Sequence, residues 1–318
     1  MLFITLVKIL AVNMWNDKRY HTLDYELKKI FGEKTIKLSI DGNFTCPNRD
    51  GTIGRKGCIF CSDRGSGDFT QRGKTITEQI AEQKQFMSKK WKSNTYIAYF
   101  QNYTNTYDSV DNLRKKFYEA LGCEDIKGIA IATRPDCISD EIADLLEELS
   151  HKTFLWVELG LQSIHDKTAE LIRRGYCLEQ FNHAVEILKS KNIKTVVHLI
   201  MGLPGESKEQ MLNSVKYISS LNIWGVKIHM LHILENTDLA EYYVKNPFVI
   251  LSQEEYVNLV CDALELLKGD IVVHRITGDG KKSDLIEPRW TLNKLNVLSD
   301  IDKILKIRGS FQGKNLPL

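Results

Sequence analysis

The chain has no run of about twenty apolar residues, the length a membrane-spanning helix needs. Its most apolar stretch, Met1 to Val12, is shorter than that. It has no basic segment ahead of it and no small-residue cleavage site after it, so it does not read as a secretory leader. Met14 opens a more ordinary soluble beginning, Met-Trp-Asn-Asp-Lys-Arg-Tyr, and translation is expected to start there. Charge of one sign is also missing. The 43 Lys and Arg against 41 Asp and Glu leave a net charge of +2, so no global field advertises a polyanionic partner. Cysteine is sparse and odd in number, seven in all, which excludes a full disulfide framework and points to a reducing, cytoplasmic setting. No linker, repeat or low-complexity run divides the 318 residues. That length suits one barrel-sized domain better than two independent ones.

Three of the seven thiols share one glycine-rich loop, Cys46-Pro-Asn-Arg-Asp-Gly-Thr-Ile-Gly-Arg-Lys-Gly-Cys58-Ile-Phe-Cys61. Gly51, Gly54 and Gly57 let the backbone turn tightly enough to bring the thiols together. Three thiolates hold three irons of a 4Fe-4S cube, and the fourth iron then stays open to bind a reacting molecule. A zinc site is the bland alternative, but zinc takes four protein ligands and no fourth Cys or His lies in the loop. Spacing alone does not decide between them. Phe60, between the last two cysteines, is placed to shield a cluster from water. Cys123, Cys137, Cys177 and Cys261 are scattered and give no sign of a second cluster; a small buried hydrophobe is the common role for a free Cys.

The rest of the chain alternates strand-like and helix-like segments. Runs rich in Val, Ile and Leu at 35–40, 95–100, 128–133, 154–160, 194–201 and 224–231 read as parallel strands covered by helices. Helical segments are expected at 109–121, 139–149, 166–191, 208–220 and 254–268. Thr75-x-x-Glu78, Ser207-x-x-Gln210 and Ser252-x-x-Glu255 read as capping boxes. Six βα units, with polar or Gly-rich segments after nearly every strand, give an α/β chain. A partial (β/α)6 TIM-like barrel is expected over residues 31–270, with an N-terminal extension (1–30) and a C-terminal extension (271–318). Its chemistry would sit at the C-terminal ends of the strands, where the three cysteines follow the first strand. The segments after the other strands are polar: Gln101 to Thr106, Thr133-Arg-Pro-Asp136, Glu158 to Gln162 with Arg173-Arg174 beyond, His198 to Glu206, and Lys227 with His229 and His232. Convergence of all of them on one end of a barrel marks a site, although a lone strand histidine is usually a core residue.

The three-cysteine loop after the first strand resembles the radical S-adenosylmethionine (SAM) superfamily. Thr-Arg-Pro-Asp, Glu-Leu-Gly-Leu-Gln-Ser, Arg-Arg-Gly-Tyr and His-Leu-Ile-Met-Gly-Leu-Pro-Gly-Glu are similar to segments of the Elongator catalytic subunit and oxygen-independent coproporphyrinogen oxidase. Asp41-Gly-Asn-Phe-Thr-Cys-Pro-Asn-Arg-Asp-Gly and His274-Arg-Ile-Thr-Gly-Asp resemble the YhcC/YtqA (MnmL-like) subfamily. The resemblance runs from Met14 onward. It implies a 4Fe-4S cluster on Cys46, Cys58 and Cys61, SAM chelating the open iron, and reductive cleavage of SAM to methionine and a 5′-deoxyadenosyl radical. By position it sets Asn102, Tyr103 and Thr104 at the methionine amino group and Gln162 and Arg174 at the ribose and carboxylate. It sets His198 near the ribose, and Met201 and Gly202 beside the adenine. The first cysteine gap is longer than in most of the superfamily, Asn-Tyr-Thr replaces a Gly-Gly-Glu turn, and Ala132 stands where relatives often carry Glu.

The Elongator-like features imply a tRNA substrate, specifically conversion of a carboxymethylaminomethyl group on a wobble uridine towards aminomethyl. No acetyltransferase-like segment follows, so the full Elongator reaction is not expected. His274-Arg275, Lys281-Lys282 and Arg289-Trp290 are suited to contact phosphates and stack a base, although the interleaved Asp284, Asp300 and Asp302 also fit a plain solvated face. An electron donor such as flavodoxin or ferredoxin is implied, and no membrane partner. Two rivals remain: a radical enzyme acting on a small-molecule or cofactor precursor, and a zinc-stapled, non-catalytic RNA-binding module.

Overall fold

In a computed structural model of the chain, the described residues are 15–63, 65, 73–278 and 280–316. The apolar stretch 1–13, Met14 and Asp279 lie outside them. The first strand, β1 (Ile36–Ile40), is preceded by α1 (Leu23–Phe31) and followed by the cysteine loop. After the loop come α2 (Ile76–Ser88), β2 (Tyr96–Phe100), α3 (Val110–Leu121), β3 (Ile126–Thr133), α4 (Asp140–Ser150) and β4 (Phe154–Gln162). The chain continues through α5 (Asp166–Leu171), α6 (Leu178–Ser190), β5 (Lys194–Met201), α7 (Lys208–Ser220) and β6 (Gly225–Met230). Last come β7 (Ile233–Leu234), α8 (Asp238–Lys245), α9 (Gln253–Glu265), β8 (Val272–Arg275), β9 (Leu285–Glu287) and α10 (Lys294–Ile307).

Seven strands form one sheet in the order β1-β2-β3-β4-β5-β6-β8, and the β1–β2, β2–β3, β3–β4 and β6–β8 pairs are parallel. This sequential order is the winding of barrel-type α/β chains; a doubly wound sheet would reverse at an internal switch point. Six of the strands are those expected from the apolar runs. The seventh, β8, lies in the segment assigned to the C-terminal extension; at four residues it is too short to show a periodic signature. β7 and β9 pair antiparallel beside the main sheet.

The chain packs as two compact units. One holds Leu27–Leu161 with Ala169–Val196. Its core is built from fully buried strand residues Leu38, Ile97, Phe100, Ile129 and Trp156 against Leu113, Phe117, Leu149 and Phe181 of the helices. The other holds residues 15–26, Gln162–Thr168 and the described residues from Val197 onward. There Val226, Val272, Ile218, Val260, Leu264 and Ile301 are fully buried. Its N-terminal segment is tied to its C-terminal end: Val273 N donates to His21 O at 2.7 Å, and His21 N to Gln312 Oε1 at 2.8 Å.

All three expected capping boxes form, at Thr75, Ser207 and Ser252, each satisfying backbone N–H groups that the first turn leaves without helical partners. One expectation is corrected. The sequence from Asp166 to Lys191 is not one helix but α5 and α6, broken between them. Arg173 (φ +53°) and Gly175 (φ +81°) are both left-handed, which an α-helix does not admit. Apolar spacing on both sides of Arg173-Arg174-Gly175 hides the break, yet the break positions the loop described next.

Candidate active site

The cysteine loop folds on itself through local backbone bonds. Arg49 N donates to Cys46 O (2.8 Å), Ile53 N to Pro47 O (2.8 Å), Gly57 N to Asn48 O (2.7 Å) and Cys61 N to Cys58 O (3.1 Å). Gly57 needs its left-handed φ of +71°. Gly54 has no room for a side chain, because a Cβ there would stand 2.5 Å from Asn48 Oδ1. Asn48, 6% exposed, is the post around which the loop is wound. Its Nδ2 donates to Arg173 O at 2.6 Å and stands 3.7 Å from Cys58 Sγ. Ile59 N donates to Ile172 O at 3.1 Å. The break between α5 and α6 therefore supplies the carbonyls to which the loop is fastened.

The electrostatics favour a thiolate at Cys58. Cys58 is pulled down to about 7, first by a hydrogen bond from the Cys61 thiol and then by Arg134, Asn48 and Arg49. Cys61, as the donor and buried beside that thiolate, is pushed up. Arg49 donates to Ser62 O at 2.7 Å and Cys61 O at 3.2 Å. Arg134, nearly buried, forks onto Asp136 at 2.9 and 2.7 Å and reaches Arg174 O at 2.9 Å. Its pKa is raised; burial works against the charge, and the ion pair with Asp136 outweighs it. Burial also pushes the Cys137 thiol up, to about 12. Three half-buried thiols with cations and an amide N–H around them are the donor set an anionic iron–sulfur cluster requires. Among the described residues no three His, Cys, Asp or Glu side chains gather as ligands of one metal ion. One thiolate to each of three separate irons is a different geometry, to which that absence does not apply.

The turn after β2 is brought to this loop. Asn102 Nδ2 donates to Asp41 Oδ2 at 2.8 Å, and Thr104 N to Thr45 O at 3.2 Å. Tyr103, left-handed at φ +56°, donates its hydroxyl to Asp63 O, and Arg49 lies 5.8 Å from its ring centre. Thr104 and Asn105 are fully buried. Thr104 Oγ1 and Asn105 Oδ1 have no hydrogen-bond partner among the described residues. Two orphaned oxygens in this turn suit a donor such as an ammonium group. Arg174 is wholly buried; its guanidinium donates to Leu161 O at 2.5 Å and Tyr176 O at 3.1 Å and lies over the Tyr176 ring.

The remaining expected residues lie in the second unit. Gln162 ends β4 with φ +61°. His198 lies on β5, its ring centre 5.8 Å from that of His229. Met201 ends β5 and is buried. Gly202, at φ +85°, lines a small apolar cleft with Met201, Met230, Leu231, Leu251 and Trp290. Sequence reading passed over Asn48, Asp41 and Arg134 as individual residues. Their only signal was membership of the quoted Asp41-to-Gly51 and Thr-Arg-Pro-Asp motifs. Glu158 was named only as part of a polar segment; it is buried and accepts from Tyr99 Oη (2.7 Å) and Trp156 Nε1 (2.9 Å).

The chain belongs to the radical SAM superfamily: the superfamily model matches residues 49–218, and the radical SAM C-terminal domain matches 223–306. Within it the chain is similar to YtqA of Bacillus subtilis, 47% identical over 299 residues, which cover 94% of this chain and 93% of that one. It is also similar to YhcC of Escherichia coli, 33% identical over 91% of this chain and 94% of that one. The subfamily resemblance in the motifs is thereby borne out. A shorter match, 30% identical over 155 residues, covers 48% of this chain and 28% of the tRNA uridine(34) acetyltransferase of Methanocaldococcus infernus. The solved structure of Methanocaldococcus infernus Elp3 shares the fold, with a TM-score of 0.67 at 18% identity over 87% of this chain and 64% of that one. No helix among the described residues is long and apolar enough to cross a membrane.

Proposed function

We propose that this radical SAM enzyme acts on tRNA in the cytoplasm, converting a carboxymethylaminomethyl group on a wobble uridine to aminomethyl. The observation that carries the reading is the loop of Cys46, Cys58 and Cys61, wound around Asn48 at the end of β1. Support for the substrate comes from the match to a tRNA uridine(34) acetyltransferase. Cys46, Cys58 and Cys61 would hold a 4Fe-4S cluster. That cluster would supply the reducing chemistry for cleavage of bound SAM. The chain's own residues have other work. Arg49, Arg134 and Asn48 stabilise the Cys58 thiolate, and the turn of Asn102, Tyr103 and Thr104, with Asn105 beside it, offers acceptors for the SAM amino group. Gln162 and His198 serve the ribose, Arg174 the carboxylate side, and Met201 and Gly202 the adenine. A flavodoxin- or ferredoxin-type protein would deliver the electron.

Two measurements test this. Protein purified without oxygen should be brown and yield 5′-deoxyadenosine from SAM with dithionite, and a Cys58→Ala/Cys61→Ala variant should do neither. Colourless protein holding zinc would sink the radical reading. tRNA from a strain lacking the gene should accumulate carboxymethylaminomethyl uridine at the expense of aminomethyl uridine. Unchanged nucleosides would favour a small-molecule substrate.

A further inference from the structure

One face of β5, β6 and β8 carries a set of basic side chains that the SAM-binding assignments leave largely unused. Side chains alternate along a strand, so Lys227 and His229 share a face of β6, and in the β6–β8 ladder Lys227 is in register with Arg275. β5 is the other neighbour of β6, and it places His198 with its ring centre 5.8 Å from that of His229. Among the described residues, Arg275, His198, Lys227 and His232 act on His229 alongside its burial. Arg275 likewise acts on His232 and on Lys294 at the start of α10. His232 sits in a glycine cradle: a Cβ at Gly278 would stand 2.7 Å from its Cε1 and one at Gly280 3.3 Å from its Nδ1. Its Nε2 is buried without a hydrogen-bond partner among the described residues. Burial pushes both His229 and His232 below the usual histidine range, so near neutral pH these rings are neutral donors. Lys227 is buried; Arg275, His198, His229 and His232 are partly accessible.

We propose that Arg275, with His229 and His232 beside it and Lys227 behind, forms an anion-binding subsite that takes the carboxylate of the substrate. This rests on the tRNA reading above, in which the group to be removed ends in a carboxylate. A guanidinium fork matches a carboxylate in two parallel bonds. A half-buried strand face, with Arg275, His229 and His232 partly accessible, admits a small projecting group.

The test uses anaerobically purified holoprotein and Arg275→Gln, with Arg275→Lys to separate charge from fork geometry. Matching cluster spectra and melting temperatures show that the variants fold. N-methylglycine reproduces the amine and carboxylate of the modified side chain, its methyl ester removes the charge, and inorganic phosphate probes the other source of anion. The expected result is that N-methylglycine raises the melting temperature of the wild type, that its ester and phosphate do not, and that Arg275→Gln abolishes the effect. KM for tRNA bearing carboxymethylaminomethyl uridine should rise about tenfold or more in Arg275→Gln, the loss expected for one charge-assisted pair, and less in Arg275→Lys. Equal weakening of modified and unmodified tRNA, with a salt slope reduced by about one, would make Arg275 a phosphate contact and overturn the proposal. A fall in SAM affinity with no change for modified tRNA would overturn it too. Conversion of modified tRNA by Arg275→Gln at unchanged KM removes the subsite and leaves the tRNA reading standing. N-methylglycine protection lost in Arg275→Gln, with no tRNA modified, keeps the subsite and removes that reading.

Discussion

Asn48 shows how one amide sets the geometry of a reactive loop. Its carbonyl accepts from Gly57 N at 2.7 Å, and its side chain donates to Arg173 O at 2.6 Å and approaches Cys58 Sγ. Asn48→Ala leaves a buried carbonyl without its donor, which costs roughly 1–3 kcal/mol. The expected outcome is a melting temperature lower by several degrees and less iron per chain after anaerobic reconstitution; unchanged iron would show that Cys58 is positioned without Asn48. His232 makes a different prediction. Its pKa is lowered to about 4 by burial and by Arg275. Between that value and the ordinary one near 6.5, the unfolded chain takes up a proton that the folded chain refuses. Stability therefore falls as pH drops across that window, by an amount on the order of 2–3 kcal/mol. His232→Asn should lose less stability than wild type between pH 7 and pH 4.5 in urea titrations, with His229 retaining part of the slope. The thiols themselves were legible in the sequence because they lie in one short stretch. Asn48 was not, because its partner Arg173 is 125 positions away and no local pattern announces a contact across that distance.

Elements were legible in proportion to their length. Strands of five to nine residues made of Val, Ile and Leu stood out, and helices with Ser or Thr caps began where the caps said. β8 did not stand out, being four residues with a polar half, Val272-Val-His-Arg275. The split of α5 from α6 was masked because helical spacing resumes after Gly175. β6 and β8 meet closely at Gly225, where a Cβ would stand 2.7 Å from His274 Nε2 and 2.8 Å from Val272 O. Backbone cannot step aside as a flexible side chain can. Gly225→Ala should destabilise by about 1–3 kcal/mol through overpacking, read as a lower midpoint in thermal melts. It should also weaken the N-methylglycine response, because the ladder that sets Lys227 opposite Arg275 begins there. An unchanged melt would mean the strands separate at this point without cost.

For the molecule as a whole, the question is whether the metal centre builds the fold or occupies it. A structural zinc site builds the fold: small zinc modules unfold when the ion is removed. Here the unit that carries the cysteines has its own core, with Leu38, Ile40, Phe100, Ile129 and Trp156 fully buried. The cysteine loop is fastened to it by amide and backbone bonds from Asn48 to Arg173 O and from Ile59 to Ile172 O that require no metal. The sheet is laid down by alternating strands and helices, and the loop is an insertion after its first strand. Removing the cluster by chelation under oxidising conditions is therefore expected to abolish SAM cleavage while leaving a cooperative unfolding transition and nearly unchanged far-ultraviolet circular dichroism. The melting temperature should fall by a few degrees, reflecting the loss of a ligand that binds only the folded state. If stripping the iron instead collapses the circular dichroism signal, the cysteines hold the fold together, and the separation of scaffold from chemistry argued from Asn48 and the buried strands is wrong.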